Sequence, residues 1–209
     1  MTSRQTAEFP LGAWRLPYFE GGGDKGARRI DESSGAQGTY VLCWSSKVPE
    51  SVDTLKIAAG AEAALEAAGV RLHLVTLDTV RDEGAALELL KSAGFKGERM
   101  GGRISRMGRS VLELITARTL APYDDVPLPL GLLFDAEGDL VCLSVGEMDP
   151  AVVLKDAATI AARADAGSTI PLTGGRWTGE PPSRSLDDVP EKLRSLGLGE
   201  LADHLELRD

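Results

Sequence analysis

The sequence predicts an α/β fold of three layers, with helices on both sides of a central mixed sheet. Two strand-like runs are each followed by a helical run, which requires a parallel pair joined by a right-handed crossover. Two later strand-like runs bracket a short turn and so pair antiparallel, and a final helical segment follows them. The order is β-α-β-α-α-β-β-α, with an N-terminal arm over residues 1–37, a domain over 38–167 and a C-terminal tail over 168–209.

The arm mixes FPLGAWRLPYF with EGGGDKGARRIDESSGAQG, which promises a loop or weak hairpin and little regular structure. TYVLCW, from Thr39 to Trp44, carries no charge and reads as a strand covered on both faces. From Pro49 to Ala68 the positions Val52, Leu55, Ala59, Ala63 and Ala67 recur at helical steps, predicting a helix with that face inward, closed by Gly69. Val70 to Asp78 is a second strand, and Glu83 to Gly94 a second helix with its terminal glycine. FKGERMGGRISRMGR reads as a loop, and Arg109 to Leu120 resumes helical spacing. GLLFD and DLVCLSV flank the turn AEG, where Gly138 is available for positive φ. Asp149 is placed as an N-cap, with Pro150 at the first helical position and Gly167 at the end. The tail is rich in proline and glycine before a short helical stretch from Leu186 to Leu205, interrupted by Gly197 and Gly199; Trp177 and the leucines would pack it on the domain.

Composition removes several classes of function. The 209 residues are 43% hydrophobic and 26% charged, which is ordinary globular usage. A net charge of −9 lacks the basic surface that coats phosphates, so nucleic acid is not an expected partner. Two cysteines and two histidines supply neither a disulfide framework nor a metal-ligand set, and neither metal nor cofactor is expected. No run reaches the ~18–20 apolar residues of a membrane span, and MTSRQTAEFP lacks the apolar core of a secretory signal. As given, the chain reads as soluble and cytoplasmic.

Two stretches carry a resemblance. CWSSKVPES, from Cys43 to Ser51, joins the first strand to its helix, and LPLGLLFDAEG, from Leu128 to Gly138, leads into the late hairpin. Together with the element order over about residues 38–165, they are similar to the thioredoxin-like superfamily, in particular its redoxin branch. That family ends its first core strand in a motif such as FWASWCxxC and precedes its last hairpin with a cis-proline. The resemblance puts Trp44 at the strand-end tryptophan, Val48 and Ser51 at the two cysteine positions, and Pro129 at the cis-proline. From the residues alone, Pro129 is also an acceptable proline at the start of a strand.

The departures from the motif matter chemically. In a redox-active member a cysteine at a helix N-terminus is made nucleophilic by the helix dipole and free amides, and a second cysteine resolves the mixed disulfide. Val48 can do neither, and Ser51 has a hydroxyl with no basic neighbour to activate it. The peroxidatic chemistry of the superfamily needs a cysteine at the same place. The resemblance therefore implies a redox-inactive member, with no catalytic residue, that binds a protein or peptide partner or a neighbouring domain of a larger assembly. The expected groove comprises Trp44, Val48, Pro49, Glu50 and Ser51 with Leu128 and Pro129, where the backbone of Leu128 offers an edge to an extended peptide. The alternative is an enzyme of the same fold without CxxC: an oxidoreductase working through Cys43, or a thiol-conjugating activity holding glutathione at the proline edge. A third reading is a structural spacer.

The remaining candidates have plainer readings. Cys43 and Cys142 sit in strands that the family order separates by the strand of Leu133, so buried thiols are expected and a disulfide between them is not. His73 lies mid-strand, and His204 has no second ligand nearby. Asp124–Asp125 and Asp187–Asp188 read as solvated carboxylates or caps. Arg99, Arg103, Arg106 and Arg109 form the one local basic cluster, which suits either a solvated loop or an acidic partner. The tail is similar to segments trailing redoxin-like domains in large bacterial proteins.

Overall fold

The computed structural model describes residues 3–5, 17–20, 28–29, 36–96, 101–119, 125–136, 140–162, 188–199 and 202–203. Its elements are β1 (Ser3–Gln5), β2 (Pro17–Glu20), β3 (Arg28–Arg29), β4 (Gly38–Trp44), α1 (Pro49–Ala67), β5 (Val70–Thr76), α2 (Glu83–Ala93), β6 (Gly102–Ile104), α3 (Arg106–Thr119), β7 (Leu130–Phe134), β8 (Leu140–Val145), α4 (Pro150–Ala161) and α5 (Val189–Ser195). Gly138, Gly167, Arg99, Asp124, Asp187, Trp177 and His204 lie outside the described residues.

The described strands form one mixed sheet in the order β1-β8-β7-β4-β5-β6-β2-β3. β4 pairs parallel with β5, and β5 with β6. β4–β7 and β7–β8 are antiparallel. β4 is thus central, covered on both faces, which is why its seven residues are all buried and none is charged.

The two-residue period of the strands sorts the core into two layers. Tyr40, Leu42, Trp44, Leu74, Leu133 and Cys142 meet Leu55 and Leu65 of α1, Leu90 of α2 and Val153 of α4. Val41, Cys43, Val75, Leu132 and Leu143 meet Val111, Leu112 and Ile115 of α3. Each fully buried leucine contributes about 2 kcal/mol of transfer free energy, so these layers dominate stability. The α5 residues Val189 and Leu193 pack with Ala202 against Leu114 of α3, bringing this part of the tail onto the outer surface of that helix.

Three expectations are corrected. The buried face of α1 is Ser51, Thr54, Leu55, Ala58, Ala61 and Leu65, while Ala63 and Ala67 are exposed. Alanine occurs on all sides of this helix and gives little amphipathic contrast; the two leucines set the inward face instead. The stretch read as a loop before Arg109 contains β6, and α3 starts at Arg106. The arm, expected to have little regular structure, supplies strands to both edges of the sheet: β1 pairs with β8, and β2 pairs with β6 and β3.

Candidate functional site

The C-terminal end of β4 and the N-terminal end of β7 meet, because the antiparallel register closes at Cys43 opposite Leu130. Trp44 ends β4 and Pro129 immediately precedes β7, and the Leu128–Pro129 peptide bond is cis. Pro129 is buried and Leu128 half-buried, packed at the margin of the α3-side core. The Pro129 carbonyl accepts the Gly146 amide at 2.9 Å. Among the described residues, neither the amide nor the carbonyl of Leu128 makes a hydrogen bond.

On the other side, the turn from β4 into α1 is held by a carboxylate that the sequence pattern does not reveal. Asp78, at the end of β5 and almost fully buried, accepts the Ser45 hydroxyl at 2.5 Å and the Ser46 amide at 2.9 Å. Its own amide donates to Thr76 Oγ1 at 3.1 Å, and the Leu77 amide donates to the Trp44 carbonyl at 2.8 Å. Lys47 pairs with Asp82 at 2.7 Å, and that hydrogen bond holds the Asp82 carboxyl below its ordinary range and raises the Lys47 ammonium. The available signal was the Ser-Ser pair after Trp44 and the aspartate closing VTLD, 33 residues apart, which only the parallel pairing of β4 and β5 brings together.

Val48 occupies the N-cap of α1 with extended backbone and no capping side chain; Pro49 follows at the first helical position. The Val48 carbonyl accepts the Ser51 amide at 3.0 Å and the Val52 amide at 3.3 Å. Val48 is half-buried and Pro49 and Glu50 are exposed, whereas Trp44 and Ser51 are fully buried. Ser51 Oγ, Thr54 Oγ1 and Trp44 Nε1 are buried without a hydrogen-bond partner among the described residues. Of the seven expected groove residues, Val48, Pro49, Glu50 and Leu128 therefore offer surface, and Trp44, Ser51 and Pro129 lie beneath.

The thiols are elsewhere. Cys43 and Cys142 are separated by β7 and face opposite core layers, so no disulfide joins them. Complete burial pushes the Cys43 thiol up to about 12, leaving it protonated at neutral pH. Burial, with Arg71 nearby, lowers the His73 imidazole to about 4.

The chain also has a pocket of about 110 Å³ between the sheet and the first turns of α4, lined by residues including Tyr40, Cys142, Ser144, Asp149 and Asp156. The Tyr40 hydroxyl reaches Ser144 Oγ at 3.4 Å across Gly131, where a Cβ would fall on that hydroxyl.

Solved structures share this architecture. A yeast mitochondrial 1-Cys peroxiredoxin superposes with a TM-score of 0.54 at 12% identity, over 77% of this chain and 80% of its own. The reduced 2-Cys peroxiredoxin of Plasmodium vivax gives 0.51 at 15% identity, over 83% and 86%. MTB dsbF gives 0.50 at 12% identity, over 74% and 99%. The fold is thioredoxin-like. Two of these neighbours are peroxiredoxins, and at such identities the likeness is one of fold. No protein-family model and no curated protein matches the sequence. Among the described residues of this thioredoxin-like protein, no helix is long and apolar enough to cross a membrane.

Proposed function

We propose that the chain is a redox-inactive thioredoxin-like module that binds an extended segment of a protein or peptide partner. The contact site is the groove between Val48–Ser51 and Leu128–Pro129. The observation that carries this reading is the Leu128 backbone, whose amide and carbonyl make no hydrogen bond among the described residues; the start of α1 also lacks a side-chain cap. An extended peptide laid along Leu128 gains main-chain hydrogen bonds worth about 0.5–1.5 kcal/mol each, with Val48, Pro49 and the Leu128 side chain as apolar contacts. The lack of a cysteine anywhere in residues 44–51 supports the redox-inactive part, as does burial of Cys43 in the core.

Two measurements test it. Incubated with insulin and a thiol reductant, or with hydrogen peroxide, the purified chain is expected to give no turnover above buffer; turnover abolished by Cys43→Ser overturns the reading. Peptides selected from a random library are expected to shift the amide resonances of Val48, Glu50 and Leu128. Selected peptides that leave those resonances unmoved place binding elsewhere and overturn the groove.

A further inference from the structure

Three loops leave the sheet side by side at the C-terminal ends of β4, β5 and β6, and they are stitched together. Ser45 donates to Asp78, Lys47 pairs with Asp82, and the Arg109 guanidinium donates to the Leu77 carbonyl at 2.6 Å. The two exposed large hydrophobic side chains among the described residues are Val80, on the second of these loops, at 60% exposure, and Met107, in the first turn of α3 just after the third, at 41%. Each has an arginine as its chain neighbour, Arg81 and Arg106, both exposed and without a hydrogen bond or ion pair among the described residues.

Two carboxylates at this edge are already engaged. Asp78 accepts from Ser45 and Ser46, and Asp82 from Lys47 and Thr79. Glu83 is half-buried in the first turn of α2. In a chain of net charge −9, this edge thus presents free guanidinium groups around exposed apolar side chains. Guanidinium forks pair bidentately with carboxylates, and an exposed apolar side chain beside such a fork gives a partner an anchor as well as a charge contact.

We infer that the Val80–Met107 edge, flanked by Arg81 and Arg106, docks an acidic peptide segment bearing an apolar anchor. This rests on the binding reading above and adds the chemistry of the partner. The apolar anchor covers Val80 and Met107, and flanking Asp or Glu side chains pair with the two arginines.

The test uses the full chain and a fluorescein-labelled peptide of aspartates and glutamates around a Leu-Leu pair, followed by fluorescence anisotropy. Controls replace the acids with lysines or the leucines with serines. The acidic Leu-Leu peptide is expected to bind, to weaken with added salt because the charges are exposed, and to lose about tenfold or more in affinity with R81E/R106E, as expected for two charge-assisted contacts. Met107→Ser, which leaves the charges in place, is expected to weaken the Leu-Leu peptide and not the serine control. Tight binding of the lysine peptide, or unchanged affinity in folded R81E/R106E, overturns the inference. If affinity is unchanged there but the peptide still shifts Val48 and Leu128, the groove reading stands and only the acidic docking edge falls.

Discussion

The starts of α1 and α4 have the same plan, a strand followed by a loop and an X-Pro step into the helix, yet they are finished differently. At α4, Asp149 Oδ1 accepts the amides of Ala151 at 3.0 Å and Val152 at 3.3 Å, closing the helix end. At α1 the equivalent residue is Val48, which caps nothing, and the turn before it is held from outside by Asp78. A good N-cap is worth about 1 kcal/mol, and α1 forgoes it at the end we propose borders the groove. The contrast is between a helix start closed by its own side chain and one without a side-chain cap, and substitutions at the two starts separate their roles.

The largest expected effect lies away from both starts and calibrates the comparison. His73 is lowered to about 4 in the folded chain against 6.5 when unfolded. The unfolded chain therefore takes up the proton first, so stability falls as pH drops from about 6.5 to about 4, by up to about 3 kcal/mol. Urea unfolding across that range should show a shallower slope for His73→Gln, with no change at the start of either helix. Equal slopes for the two chains would show that His73 is not held neutral.

Asp78→Ala should come next, at about 2 kcal/mol, because it removes one acceptor from two hydrogen bonds and leaves Ser45 buried without it. Thermal unfolding measures the loss, and amide resonances of Ser45 to Val48 should broaden while those of α4 stay sharp. Asp149→Ala should cost about 1 kcal/mol through the lost cap, with peptide binding unchanged. Val48→Asp should do the reverse: supply a cap, raise stability by about 0.5–1 kcal/mol and weaken binding in the groove. A Val48→Asp chain that is stabilised and binds as before would mean that the open helix end has no role in recognition.

Much of this architecture is legible in the sequence, and the reasons are local. Thr39–Trp44 is uncharged because β4 is covered on both faces, and Gly94 closes α2 because the chain turns there with φ of 109°. Asp149 and Pro150 announce α4 by residue type alone. What escapes is nonlocal or short. β6 has three residues, the first of them a glycine, too few to show alternation, and is a strand because β5 and β2 flank it. The inward face of α1 is masked by alanines on every side, and the Ser45–Asp78 link joins residues far apart in the chain. Of the candidate site, the sequence offers the two stretches that the proposal joins, the β4–α1 junction and Leu128–Pro129; the burial of Trp44 and Ser51 depends on the packing of α1 and is not legible there.

On the proposed reading the thioredoxin-like scaffold works without a reactive thiol, and native-state alkylation reports on Cys43 itself. With iodoacetamide at mildly alkaline pH and intact-mass detection, the folded chain is expected to leave Cys43 unmodified, because a thiol pushed up to about 12 by burial is neither ionised nor accessible. The urea-unfolded chain should take up label at both Cys43 and Cys142. Labelling of Cys43 in the folded chain at the rate of the unfolded one would contradict the account and return the protein to the reactive side of its fold.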